Sequence, residues 1–266
     1  MASLALVVAC GGKKADTAEA GEQATEQTDE EQPADEAEAT EDGEAPAKLD
    51  IVVDETVADA QKAIYANGDF KTFTGVFFKD DFTADKVGEF PAKWSLNNGS
   101  AEVAKFNDRQ VLNLSNNDAE VTPKVAGNSK YYLPEAFTFE FEYFCNGDED
   151  FNAGYHLNFE TPAGTEEINL ITEENVNWNL PKKNEEWMQG TYEKLGDVEK
   201  KNSWNHFALS YINGTLKLYV NGTRVASLPD VLAPRCLAIH GEGWDDHRYY
   251  FTNVRLTTEA PAGEKK

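Results

Sequence analysis

One stretch of the chain sets an aromatic ring among acids and glycines, away from any alternation of apolar residues: His240-Gly241-Glu242-Gly243-Trp244-Asp245-Asp246-His247. An indole stacks on the apolar face of a pyranose while nearby carboxylates accept its hydroxyl hydrogens, so Trp244, with His240, Asp245 and Asp246 beside it, has the makings of a sugar platform. His156 and Asn158 fall on the polar register of an alternating segment and would extend such a surface. The competing arrangement is a long turn with Trp244 folded back on the edge of the domain, where a large aromatic is usually buried.

Other chemistry is thinner. Glu140 and Glu142 stand at i and i+2 on one strand face, and the ordinary place for such a pair is outward, in solvent. The four histidines include no i,i+4 helical pair and there is no Cys-x-x-Cys, so transition-metal spacing is absent. Asp148-Glu149-Asp150 and Asp245-Asp246 offer oxygen ligands of the kind calcium takes, without EF-hand spacing. No cofactor is expected, with calcium the one candidate. Cys145 shares register with inward Tyr143 while Cys236 is out of register with Leu237 and Ile239, which argues against their pairing.

The elements that must hold these residues are strands. Phe137, Phe139, Phe141 and Tyr143 alternate with polar residues, as do Tyr155, Leu157 and Phe159, and Phe207, Leu209 and Tyr211. Asn213-Gly214 and Asn221-Gly222 separate alternating runs at 203–212, 215–220 and 223–228, the strongest short hairpin signal, because both central positions of a type I′ turn need positive φ. Further runs at 77–82, 101–106, 110–115, 119–125, 168–172, 236–241 and 249–257 bring the total to about a dozen strands, the range of a two-sheet antiparallel jelly roll. One short helix over 54–66, stopped by Asn67-Gly68, enters the domain.

Composition excludes some partners. The 266 residues carry a formal charge of -24, with no Lys/Arg stripe, so binding to nucleic acid through its phosphates is ruled out. Residues 15–50 hold fourteen Asp and Glu, one Lys and no aromatic residue. Such a segment cannot bury enough surface to offset chain entropy and is read as a disordered tether spanning about 30 to 36 Å. No apolar run reaches the ~18 residues of a spanning helix.

The start, Met1 to Lys14, resembles the lipobox of bacterial lipoproteins: an apolar run ends in Val7-Val8-Ala9-Cys10 and two glycines follow. The resemblance implies a lipid on Cys10 and, with Gly11 in the next position, passage to the outer membrane, on its periplasmic or cell-surface side. Several acyl chains on one Cys would anchor stably.

Phe77 to Trp94, Leu133 to Phe144 and Ser203 to Ala226 together resemble a concanavalin A-like, laminin G-like jelly roll, similar to sandwich domains of Gram-negative envelope proteins. The organisation expected is a lipoprotein signal remnant at 1–10, the tether at 11–50, helix and entry segment at 51–76, the jelly roll at 77–257 and a flexible tail at 258–266. Laminin G-like domains hold calcium with acidic loops, and laminarinase-type hydrolases of this fold use Glu-x-Asp-x-x-Glu. Here the nearest match, Glu167 to Thr172, has Asn169 and Thr172 in two of the acidic positions, and no catalytic residue is assigned. Trp204-Asn205, Tyr219 to Gly222 and Phe251 to Arg255 also resemble 3-keto-disaccharide hydrolases. Three functions fit the fold: a membrane-anchored glycan-binding lipoprotein, which ranks first; a structural lipoprotein docking on envelope proteins; and a sugar-active hydrolase.

Overall fold

The computed structural model describes residues 49–65, 70–114, 118–125, 130–145, 154–242 and 249–261. Cys10, the acidic segment before residue 49, Asp148-Glu149-Asp150 and Trp244-Asp245-Asp246 lie outside the described residues. In chain order the strands are β1 (Val52–Val53), β2 (Gly75–Asp80), β3 (Trp94–Asn98), β4 (Ala101–Phe106), β5 (Arg109–Leu114), β6 (Glu120–Pro123), β7 (Ala136–Cys145) and β8 (Gly154–Thr161). They continue with β9 (Gly164–Ile171), β10 (Asn175–Pro181), β11 (Trp187–Tyr192), β12 (Ser203–Ile212), β13 (Thr215–Val220), β14 (Thr223–Leu228), β15 (Cys236–Glu242) and β16 (Tyr249–Thr258); among the described residues there is one α-helix, α1 (Glu55–Ile64), between β1 and β2, and a single 3-10 turn at Leu195–Asp197.

Two antiparallel sheets form a sandwich. The first has nine strands, ordered β1-β2-β16-β7-β12-β13-β14 with the β4-β5 hairpin attached to β16; the second has seven, ordered β11-β10-β9-β8-β15-β6-β3. The alternation in the sequence explains what lies between them. Phe137, Phe139, Phe141 and Tyr143 of β7 and Phe207 and Leu209 of β12 meet Tyr155, Leu157, Phe159, Ile168 and Leu170 of the other sheet in one core, each 1% exposed or less. Trp94 is fully buried there, and its indole N–H donates to Asp80 Oδ2 at 2.9 Å.

Both Asn-Gly pairs form the turns expected of them, with φ of 52° and 80° at Asn213-Gly214 and 48° and 80° at Asn221-Gly222. At Gly222 a side chain would also collide with the α1 terminus, since a Cβ would stand 2.6 Å from the Ile64 carbonyl oxygen. The strands not anticipated from the sequence are β1, β3, β10 and β11. The β10 segment reads NVNWNLP, and asparagine at every second position is the composition of a turn rather than a strand. Its inward residues Val176 and Leu180 are nonetheless buried. The β10-β11 hairpin closes tightly, because a Cβ at Gly190 would lie 2.5 Å from the Trp178 ring.

The solvated position expected for Glu140 is overturned. Its side chain does point away from the sandwich core, but α1 lies over that face and leaves Glu140 0% exposed. Asp54 caps the helix, accepting from the Thr56 backbone N–H at 3.1 Å. Gln61 of α1 donates to Glu140 Oε1, His206 Nε2 stands 3.1 Å and Arg255 Nη2 3.6 Å from Glu140 Oε2, and Tyr65 OH is 3.1 Å from His206 Nδ1. Tyr65 and Phe70 stack at 4.1 Å over Ala208 and Tyr219 beside this ionic group. Burial by itself would raise the Glu140 carboxyl, but His206, Arg255 and Gln61 outweigh it and hold the group below its usual range. Glu142, one step along, is only half-buried and pairs with Arg109.

Two outcomes follow from this packing. Glu140→Ala removes the buried anion that the part-buried Arg255 and His206 face and should cost about 1 to 3 kcal/mol in urea unfolding. Because the folded carboxyl is depressed, its contribution is complete above the reference value of 4.5 and is lost as pH falls through the lower folded value, so parent and variant should converge in acid. A difference that stays constant down to acid unfolding would contradict the assignment. Gly190→Ala should lower stability by about 1 to 3 kcal/mol through overpacking against Trp178. An unchanged melting temperature would show the hairpin to be looser than described.

Candidate functional site

The outward face of the seven-stranded sheet carries three of the polar side chains picked out from the sequence, His156, Asn158 and His240. Because Tyr155, Leu157 and Phe159 turn into the core, His156, Asn158 and Glu160 must turn out. Strand register then aligns them with their neighbours. One row crosses the whole sheet: Thr191 faces Asn177, Asn177 faces Asn169, Asn169 faces His156, His156 faces His240, His240 faces Glu120 and Glu120 faces Asn98. A second row beside it runs Gln189, Asn179, Glu167, Asn158 and Ala238.

The side chains hold one another. Glu120 is the central acceptor, taking the Asn158 amide at 2.6 Å on one carboxylate oxygen and the Asn97 amide at 2.8 Å on the other; Asn97 also donates to Thr122. His156 and His240 meet edge to face with ring centroids 5.5 Å apart, and His156 Nδ1 lies 3.7 Å from Glu167 Oε2. Gln189 donates to Asn179 Oδ1 at 3.0 Å and Asn177 to Asn175 Oδ1 at 3.1 Å. Fixed amides, imidazoles and carboxylates supply both donors and acceptors, which is what hydroxyl-rich ligands require.

His156, Asn158 and His240 therefore share one face, whereas Trp244, Asp245 and Asp246 are outside the described residues. The aromatic residue that the sequence reading missed is Trp187, 51% exposed on the edge strand β11. It shares a face with Gln189 and Thr191, and that is the signal that was present: an indole on the polar register of an alternating hexapeptide. The carboxylate pattern sought at 167–172 also resolves. Glu167 and Asn169 point outward in adjacent rows, but Thr172 is buried, so only one of the three positions bears a carboxylate on this face.

At one end of the face, Glu160 accepts from Lys130 at 2.8 Å and Tyr131 at 2.7 Å. Partial burial would raise this carboxyl, and Lys130 and Tyr131 bring it below its ordinary value. Cys236 beside it is a free thiol, pushed up to about 11 by burial and by Glu160, so it is a neutral group rather than a nucleophile near pH 7. Cys145 is free as well and buried. Among the described residues no group of three His, Cys, Asp or Glu is placed to hold a metal. On the other sheet a groove of about 450 Å³ runs between α1 and β16, lined by Lys79, Lys93, Glu142, His206, Asn253 and Arg255 among others.

Residues 123–249 match the family described as the concanavalin A-like lectin/glucanases superfamily. No curated protein matches the chain. Among solved structures it is similar to the binding domain of botulinum neurotoxin serotype D, at 14% identity and a TM-score of 0.46, over 68% of this chain and 47% of that one. It is also similar to a carbohydrate-binding module from Bacillus subtilis, at 16% identity and a TM-score of 0.43, over 62% of this chain and 96% of that one. Bacillus licheniformis β-glucanase gives 14% identity and a TM-score of 0.44, over 68% and 98% respectively. The chain spans about half the length of the neurotoxin domain. The two antiparallel sheets form a jelly-roll sandwich, consistent with the superfamily that residues 123–249 match.

Proposed function

We propose that the outward face of the seven-stranded sheet binds a glycan and that the chain carries this face at the outer membrane on a lipid attached to Cys10. The observation that supports glycan binding is the pair of aligned rows of amide, imidazole and carboxylate side chains, with the half-exposed indole of Trp187 at one edge. Sugars are recognised by this combination, a flat apolar surface for the ring face and paired donors and acceptors for the hydroxyls. The fold by itself does not assign a ligand. The anchor rests on the apolar run that ends at Ala9-Cys10 ahead of the acidic segment; among the described residues no helix is long and apolar enough to cross a membrane.

A glycan array probed with the chain carrying Cys10→Ser tests the binding face. Trp187→Ala should weaken the glycan it reports by about tenfold or more, equivalent to ~1.4 kcal/mol, with a melting temperature within a few degrees of the parent because the ring is not part of the core. Binding unaffected by Trp187→Ala and by Asn158→Ala together would move the site elsewhere. For the anchor, Cys10→Ser should release the protein into the soluble fraction and abolish palmitate incorporation; a parent protein that takes up no palmitate would refute it.

A further inference from the structure

We infer that β11 is an edge built for strand addition and that its occupant is β11 of a second copy of this chain, paired antiparallel about Gly190. The edge strands of the two sheets are constructed differently. β1 has two residues, β3 pairs through a register shift between Leu96 and Asn98, β4 carries Glu102 and Lys105, and β14 carries Arg224 and pairs through a register shift of its own. Shortness, irregular pairing and charge are the usual means by which an edge avoids a stray strand. β11 has none of them. It reads WMQGTY, without a charge or a proline, and it matches β10 over six consecutive pairs with no shift. Among the described residues its other side pairs with no strand, and no backbone hydrogen bond outside the β10 ladder involves Trp187 to Tyr192.

Charge points to the occupant and to the register. Two copies of a chain of charge -24 repel, so they meet most easily where neither presents a carboxylate, and β11 is such a stretch. A two-fold axis through the sheet pairs residues of equal parity, since otherwise the outward face of one copy would continue as the inward face of the other. Centred on Gly190, the axis sets Gln189 opposite Thr191 on the outward face and Met188 opposite Tyr192 on the inward face, and at both ends Glu186 faces Lys194. Centred on Gln189, it would set Glu185 opposite Glu193, like against like. The Gly190 register is the complementary one. It also leaves the axis without a side chain, so the two backbones can approach closely.

Met188 and Tyr192 supply the apolar part of the contact. Both are half-buried and pack against the core from the rim of the sandwich, and the second copy would close that rim by laying each thioether against a tyrosine ring. Glu186 and Lys194 are exposed, and Glu186 also meets Lys182 at 3.3 Å, so the end pairs select the register more than they add affinity. An interface of one short strand pair lies at the small end of the range, and the dimer it forms is weak.

Sedimentation velocity of the Cys10→Ser chain from about 1 to 200 μM should show a concentration-dependent equilibrium between monomer and dimer, as a contact of this size requires. Glu186→Lys and Lys194→Glu each set like charges opposite one another at both ends and should weaken the dimer about tenfold, ~1.4 kcal/mol, even though the first of them lowers the net charge. Combined, they should restore the parent equilibrium. Amide exchange of the parent reads the same edge without a substitution: protection of residues 187–192 should rise across that concentration range. A parent that stays monomeric overturns the inference. So does a dimer indifferent to either single substitution, not restored by the pair, or formed without added protection in β11, because the contact then lies elsewhere. None of these results bears on glycan binding, which the inference does not use.

Discussion

A strand cannot turn one side chain inward without turning its neighbour outward, and most of this molecule follows from that constraint. The rings of Phe137, Phe139, Phe141 and Tyr143 on one sheet and of Tyr155 and Phe159 on the other commit the strands to a single register. A slip of one residue would put those rings in water and His156, Asn158 and Asn169 in the core. The polar face is thus held in place by the core, although it touches almost none of it.

The two outer faces solve different problems. On the nine-stranded sheet, α1 covers a carboxylate that would otherwise be solvated, and the cover is tolerable because Glu140 has a guanidinium, an imidazole and an amide around it. On the seven-stranded sheet the described residues place no helix over the polar rows, and Glu120 there accepts hydrogen bonds from neighbouring amides instead. One face consumes its polarity internally; the other displays it.

What the sequence made legible is the part governed by period two. β7, β8 and β12 to β14, with both Asn-Gly turns, could be read directly, since inward aromatics and turn chemistry are local signals. β10 and β11 could not, because strands whose outward positions are Asn, Gln and Thr resemble loops until a partner strand is known. Trp187 escaped for the same reason: without the hairpin its register has no meaning. The burial of Glu140 depends on Gln61 and Tyr65, far away in the chain, and no local pattern records such a meeting. The common face of His156, Asn158 and His240 could be anticipated because each sits inside a strand that was itself legible.

β16 has a bulge at Asn253, where φ is 52° and the register shifts between Thr252 and Arg255. On one side of the bulge the strand pairs with β5 and on the other with β2, while β7 runs along its opposite edge. Three strands from early and middle parts of the chain therefore depend on a segment that the ribosome delivers after all of them. Until β16 emerges, β2, β5 and β7 each expose an open edge, the kind of surface that invites mispairing. The nine-stranded sheet is therefore completed only by its last strand in chain order, and three of its edges stay open until that strand is made.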